Sequence, residues 1–167
     1  MTKEKRALFD CNGKATGKYY YKGEKIPNGV YPMVVMVAIQ NSDGKFLMQK
    51  RVATKGGDWG VTGGHVDFSE SPEDALYREV KEELGLDLTK KPILYSFGCD
   101  GKDCFGMYYV KQDFDEGKLN IQKEELSEVR WFSIEELEEM VKTKELNEDQ
   151  ISCFKKCMNF LKGKKTF

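Results

Sequence analysis

Histidine is nearly absent from this chain of 167 residues; there is one, His65. The five cysteines (Cys11, Cys99, Cys104, Cys153, Cys157) are odd in number and contain no Cys-x-x-Cys pair, so soft ligands are too few for a structural zinc site. Neither sign of charge is in excess. With 27 basic and 28 acidic residues the net charge is −1, and composition gives no electrostatic case for nucleic acid or an anionic membrane. No apolar run approaches transmembrane length, and the opening MTKEKRALFD lacks the apolar stretch of an export signal. A cytoplasmic protein with reduced thiols is therefore expected. Repeats and low-complexity linkers are also missing. The chain is 40% apolar and 33% charged, as expected of one soluble globular unit large enough to bury a core.

Residues 6–26 read as a β hairpin around Asn12-Gly13, a strong turn dipeptide. Its tyrosines, Tyr19 to Tyr21, are expected in edge-strand packing rather than against a nucleobase. The run MVVMVAI after Tyr31 is continuously apolar, as in a strand covered on both faces. Ser42-Asp43-Gly44 turns the chain, and KFLMQKR returns as its partner, ending in Lys50 and Arg51. Two readings of those cations stand side by side: contact with phosphate, or a solvated strand end. TKGGDWG reads as loop, with Trp59 expected in the core, and VTGG as a short strand. PILYSF and CFGMYYVKQDF form the next strand pair, and EVRWF is the last strand. A helix over 134–142 is capped by Ser133, and another is capped by Asn147 with Ile151, Phe154, Met158 and Leu161 as its core stripe.

The stretch that organises the rest is GHVDFSESPEDALYREVKEELGL, Gly64 to Leu86. Ser71 fits an N-cap, Pro72 the first helical position and Asp74 the acidic half of a capping box. Leu76, Val80 and Leu84 make an apolar side and Gly85 the stop, which predicts a helix over 72–84. At about 100° per residue, Glu82 and Glu83 fall about 60° and about 40° to either side of Glu79. Three carboxylates in one arc near a helix C-terminus repel one another and oppose the macrodipole. Arg78 offsets part of that charge. Hard divalent cations prefer such oxygens.

This segment resembles the signature of the Nudix hydrolases at every defining position: Gly64, Glu70, Arg78, Glu79, Val80, Glu82, Glu83, Gly85 and Leu86. A chance match in a chain of this length is on the order of one in ten million. The resemblance implies an α/β fold, the α/β/α sandwich with a mixed β-sheet, over residues 29–167, with residues 1–28 as an N-terminal β extension of one structural unit. It implies hydrolysis of a diphosphate that links a nucleoside to a further moiety, with Mg²⁺ or Mn²⁺ as cofactor. By position, Glu79, Glu82 and Glu83 and the carbonyl of Gly64 would hold metal, Arg78 would orient the glutamates, and Glu70 would brace the loop. Lys50, Arg51 and His65 are candidate substrate-binding residues. For the general base Glu82, Glu83, His65 and the pair Glu124 and Glu125 all stay open, although a solvated loop is favoured for the last two. The expected partner is a small-molecule diphosphate, with neither nucleic acid nor membrane, and a homodimer stays open.

A looser similarity, to the Nudix subgroup named after isopentenyl-diphosphate isomerase, rests on Asp10, Gly13, Thr16 and Gly17, on Gly29 and Tyr31, on the Gln-Lys-Arg strand end and on Trp-x-x-x-Gly-Gly-His-Val. The isomerase family's extra histidines and its loop cysteine are missing here, so hydrolysis is the expected chemistry. An isomerase-like enzyme and a non-catalytic nucleotide sensor are the alternatives.

Overall fold

A computed structural model describes residues 3–163. The first two residues, part of the expected extension, and the last four, part of the expected domain, lie outside the described residues. Strands β1 (Lys5–Phe9) and β2 (Ala15–Tyr21) pair antiparallel. Asp10 makes the turn: one carboxylate oxygen accepts from the backbone N–H of Asn12 and of Lys14, both at 2.9 Å. Gly13 follows at φ 79°, a left-handed backbone that glycine adopts without penalty. Thr16 Oγ1 donates to the Leu8 carbonyl at 2.7 Å. Asp10, Gly13 and Thr16, which carry part of the looser subgroup similarity, therefore build a hairpin. The outer edge of that hairpin is stitched to the main body. Ala7 N–H donates to Val66 O, Phe68 N–H to Lys5 O, and Phe9 and Tyr31 exchange backbone bonds of 2.8 Å.

The main sheet has seven strands: β3 (Met33–Gln40), β4 (Phe46–Arg51), β5 (Trp59–Gly60), β6 (Thr62–His65), β7 (Ile93–Cys99), β8 (Cys104–Lys111) and β9 (Leu126–Phe132). Their order is β5-β4-β3-β8-β7, with β6 also against β3 and β9 also against β4. β3 and β8 run parallel and the other pairs antiparallel, so the sheet is mixed. The apolar run in β3 supplies both faces because successive side chains alternate. Val35, Val37 and Ile39 join one core with helix α1 (Pro72–Leu84). Met36 and Ala38 join the other, with α2 (Ile134–Thr143) and α3 (Glu148–Leu161). The result is the expected α/β/α sandwich. Ala7 and Phe9 of the hairpin belong to the first core, which makes the N-terminal segment part of the packed unit.

Helix α1 follows its sequence signals to the residue. Ser71 and Asp74 form the reciprocal capping box, Pro72 opens the helix, and Gly85 closes it at φ 70°. Leu76, Val80 and Leu84 are fully buried, each burial worth about 1.5–3 kcal/mol, which fixes the helix against β3.

Three expectations need correction. In α3 the fully buried positions are Cys153 and Cys157; Ile151, Phe154 and Met158 are half-buried and Leu161 is exposed. The helix is rotated because the cysteines, behaving as small apolar residues, sit closest to the sheet, where Tyr95 donates to or accepts from Cys153. The stretch after Arg51 is not all loop: Ala53–Lys55 form a 3₁₀ turn and Trp59–Gly60 pair with β4. The thiols are not all reduced, since register places Cys99 opposite Cys104 across the β7–β8 hairpin and the two form a disulfide.

Candidate active site

The signature loop needs its glycines because other atoms occupy the space of a side chain. A Cβ on Gly63 would overlap the Val35 carbonyl oxygen, and one on Gly64 would overlap the Glu79 carboxylate. β6 therefore lies flat on β3, and α1 brings Glu79 directly against the loop backbone.

Arg78 ties this corner together. Its Nη1 donates to Glu79 at 2.8 Å and to Glu82 at 3.2 Å. Nη2 donates to the His65 carbonyl at 3.0 Å and to Glu70 at 2.7 Å, and Nε donates to Glu70 at 3.1 Å. Glu70 also accepts from the Asp67 N–H at 2.7 Å, which fastens the loop to the helix. These bonds raise the arginine's pKa, the largest share coming from Glu70.

Glu83 is held from a different side. Gln49 Nε2 donates to Glu83 Oε2 at 2.7 Å, while Gln49 Oε1 accepts from Thr62 Oγ1 at 2.8 Å. All three residues are buried. Burial, then the fields of Glu79 and Glu125, push the Glu83 carboxyl up to about 7, against the opposing Gln49 hydrogen bond and Arg51. Burial also raises Glu79, against the pull of Arg78. Two carboxylates are thus desolvated beside each other with less positive charge than they need.

They face a cleft of about 770 Å³, lined at this end by Glu79, Glu82, Glu83, Gly64, Arg51 and Glu125. That volume suits a ligand of nucleotide size. Arg51 lines the cleft; Lys50, one residue earlier on the strand, does not, and its Nζ lies 5.8 Å from the centroid of the Trp59 ring. Trp59 is only partly where it was expected. It stands edge-on to Phe132 at 4.9 Å, partly in the core, and also borders the cleft. Glu125 reaches the cleft and pairs with Lys55 at 2.6 Å, whereas Glu124 does not border it. His65 lines the cleft as well, but burial, aided by Arg6, pushes its imidazole down to about 4, so it is neutral at pH 7.

Gln49 and Thr62 were not among the expected site residues. Their sequence signal is weak but present: a glutamine after three apolar positions of β4 must find a buried partner.

Among the described residues no three acidic, cysteine or histidine side chains stand ready around one point as a metal cage. Nη1 of Arg78 lies between Glu79 and Glu82. The donor set nevertheless suits a hard divalent cation: carboxylate oxygens, a backbone carbonyl at a loop that admits no side chain, and two carboxyls whose raised pKa values mark missing positive charge.

A mixed-sheet α/β/α sandwich with a glutamate-bearing helix behind a double-glycine loop defines a class. The NUDIX domain profile matches residues 30–156, and the chain belongs to the Nudix hydrolase family. An uncharacterized Nudix hydrolase of Listeria monocytogenes is 33% identical over 136 residues, 78% of this chain and 80% of that protein. Among solved structures, DR0079 from Deinococcus radiodurans superposes with TM-score 0.75 at 18% identity, covering 92% of this chain and 99% of that one. The NUDIX domain of Shewanella oneidensis NrtR, crystallised with ADP ribose, superposes with TM-score 0.63 at 19% identity over 86% of this chain and 94% of that one. At those identities the structures speak for the fold alone. No helix among the described residues is long and apolar enough to cross a membrane.

Proposed function

We propose that this Nudix hydrolase is a divalent-cation-dependent pyrophosphohydrolase that cleaves the diphosphate of a nucleoside diphosphate joined to a further moiety. The observation that carries the reading is the buried, desolvated Glu83 carboxyl beside the half-buried Glu79, at the wall of a nucleotide-sized cleft. Glu79, Glu82, Glu83 and the Gly64 carbonyl would hold Mg²⁺ or Mn²⁺. Such an ion, when bound, neutralises phosphate oxygens and lowers the pKa of water.

The chain's own residues supply the arrangement. Arg78 keeps Glu79 and Glu82 in fixed rotamers by sharing one nitrogen between them. Gln49 does the same for Glu83, occupying Oε2 and leaving Oε1 for the site. Arg51 projects a cation into the cleft beside Glu83, where it can hold a phosphoryl oxygen in register. His65, neutral at pH 7, serves as a hydrogen-bonding group rather than a proton shuttle. The same reading has the enzyme act in the cytoplasm, where the Cys99–Cys104 disulfide would meet reducing conditions.

The test is hydrolysis in water enriched in heavy oxygen, with ADP ribose as the first substrate because the Shewanella domain was crystallised with it. The expected result is label on a phosphoryl product, dependent on added Mg²⁺ or Mn²⁺ and lost in Glu83→Gln. Rearrangement of isopentenyl diphosphate with deuterium uptake, without phosphate release from any nucleotide, would replace this reading by the isomerase.

A further inference from the structure

The cleft has a second charged end, and the N-terminal hairpin builds it. Glu4, Arg6 and Lys22 line the cleft with His65 and Phe105. Glu4 and Arg6 alternate on one face of the hairpin, and Glu4 faces Lys22 across it through the Lys22 N–H to Glu4 O bond of 3.0 Å. One carboxylate serves both cations. Glu4 accepts from Arg6 Nη2 at 2.8 Å and from Lys22 Nζ at 3.2 Å. Arg6 is anchored deep in the wall, its side chain only 14% exposed, and its buried Nε has no hydrogen-bond partner. Two other carboxylates lie in its field but face other groups: Asp67 Oδ2 is 3.9 Å from Arg78, and Asp103 Oδ1 is 3.8 Å from His65. Arginine so placed, held by Glu4 and the buried Tyr20 with its Nε still unpaired, is suited to grip an oxyanion through its remaining donors.

The two ends differ in charge, with Asp67 between them in the fields of both Arg78 and Arg6. The charges that act on Glu83 are Glu79, Glu125 and Arg51, whereas those that act on His65 are Arg6, Glu4 and Lys22. Because Arg6 and Lys22 line the same cleft as the glutamates, a diphosphate held at the glutamates would leave the hairpin cations to another anionic group of the same ligand.

We propose that Arg6 and Lys22, with His65 between them and the signature loop, form a second anion subsite that selects substrates carrying a phosphate monoester beyond the scissile diphosphate. This rests on the pyrophosphohydrolase reading for its catalytic consequence, but the subsite itself does not need turnover to be observed. The hairpin thereby acquires a function: it completes the substrate cleft.

Because the chain contains one histidine, its imidazole carbon-bound protons give an unambiguous NMR reporter at the subsite. Inorganic phosphate titrated into the full chain in EDTA at constant pH 7.5 is expected to shift the His65 signals saturably. The shift is expected to vanish in Arg6→Ala, to weaken severalfold in Lys22→Ala, and to survive in part in Arg6→Lys. With Mg²⁺ present, kcat/KM for 2′-phospho-ADP-ribose is expected to exceed that for ADP-ribose by tenfold or more, through KM, and Arg6→Ala is expected to bring the two together. Lys22→Ala, whose side chain is 59% exposed, keeps the test valid should Arg6→Ala fold poorly. His65 signals that ignore phosphate, or that respond equally in wild type and both alanine variants, overturn the subsite. Equal losses on both substrates in Arg6→Ala also overturn it, since Arg6 would then hold the shared diphosphate. A normal phosphate response with neither compound hydrolysed leaves the subsite standing and instead removes the pyrophosphohydrolase reading.

Discussion

The two faces of the sheet are built from different materials. Against α1 the core is mainly aliphatic: Val35, Val37, Ile39, Leu76, Val80 and Leu84 are all essentially inaccessible, with Phe9, Met33 and Tyr108 beside them. Against α2 and α3 methionine is far commoner: Met36, Met48, Met107 and Met140 pack with Tyr95, Tyr109, Phe132, Leu137 and the two buried cysteines. Branched aliphatic side chains have few rotamers and lock the backbone beneath them, whereas methionine adapts. Glu79, Glu82 and Glu83 rise from the helix that packs on this aliphatic face. The difference teaches where precision is needed: desolvated carboxylates repel each other, and only a stiff platform holds them together.

The largest expected contrast is catalytic. Glu83→Gln should lower turnover by two to three orders of magnitude or so, whereas Met140→Leu on the opposite face should leave it within about twofold. Steady-state kinetics on a hydrolysed diphosphate substrate checks both, and comparable losses from the two variants would erase the distinction between the faces.

Next in size is packing. Leu76→Ala should destabilise by about 3–4 kcal/mol and reduce turnover of the folded protein, because α1 shifts with its glutamates. Met140→Ala should cost about 2–3 kcal/mol with turnover unchanged, since neighbouring side chains refill the gap. Urea unfolding paired with activity per folded molecule separates the two cases.

A smaller effect is the pH dependence of stability in EDTA. Glu83 binds its proton more tightly folded than unfolded, up to about 7 from a usual 4.5, so its contribution favours the native state at low pH and is lost as pH rises through that window. His65, pushed down from 6.5 to about 4, works in the opposite sense: its contribution is lost as pH falls from about 6.5 toward 4. The two offset one another in wild type. Glu83→Gln removes one of them, so the variant's stability should climb from pH 5 to 7.5 by on the order of 2 kcal/mol more than wild type. Parallel denaturant midpoints for the two proteins would show that burial of Glu83 is not what sets its charge.

The smallest effect concerns the hairpin of β7 and β8. The Cys99–Cys104 bridge closes a loop with a sequence separation of 5, and a loop that short stabilises by roughly 2 kcal/mol at most. Thiol titration of the unfolded oxidised protein should find Cys11, Cys153 and Cys157 free, and reduction should lower the melting temperature by only a few degrees.

What the sequence determined by itself was local and periodic. The cap at Ser71, the stop at Gly85, the aliphatic stripe of α1 and the two-faced strand β3 follow from rules that act within a few residues, and the signature assigned the family before any contact was known. Only the tertiary structure decided what meets across the chain. Gln49 reaches Glu83, 34 residues away, and Thr62 completes that link. Arg6 and Lys22 come to the cleft because β1 bonds to the segment after β6, a pairing between backbone groups that carry no record of their partners in the side chains. The rotation of α3 toward Cys153 and Cys157 was decided the same way: small residues win the position nearest the sheet through packing, which a helix's own hydrophobic pattern does not encode.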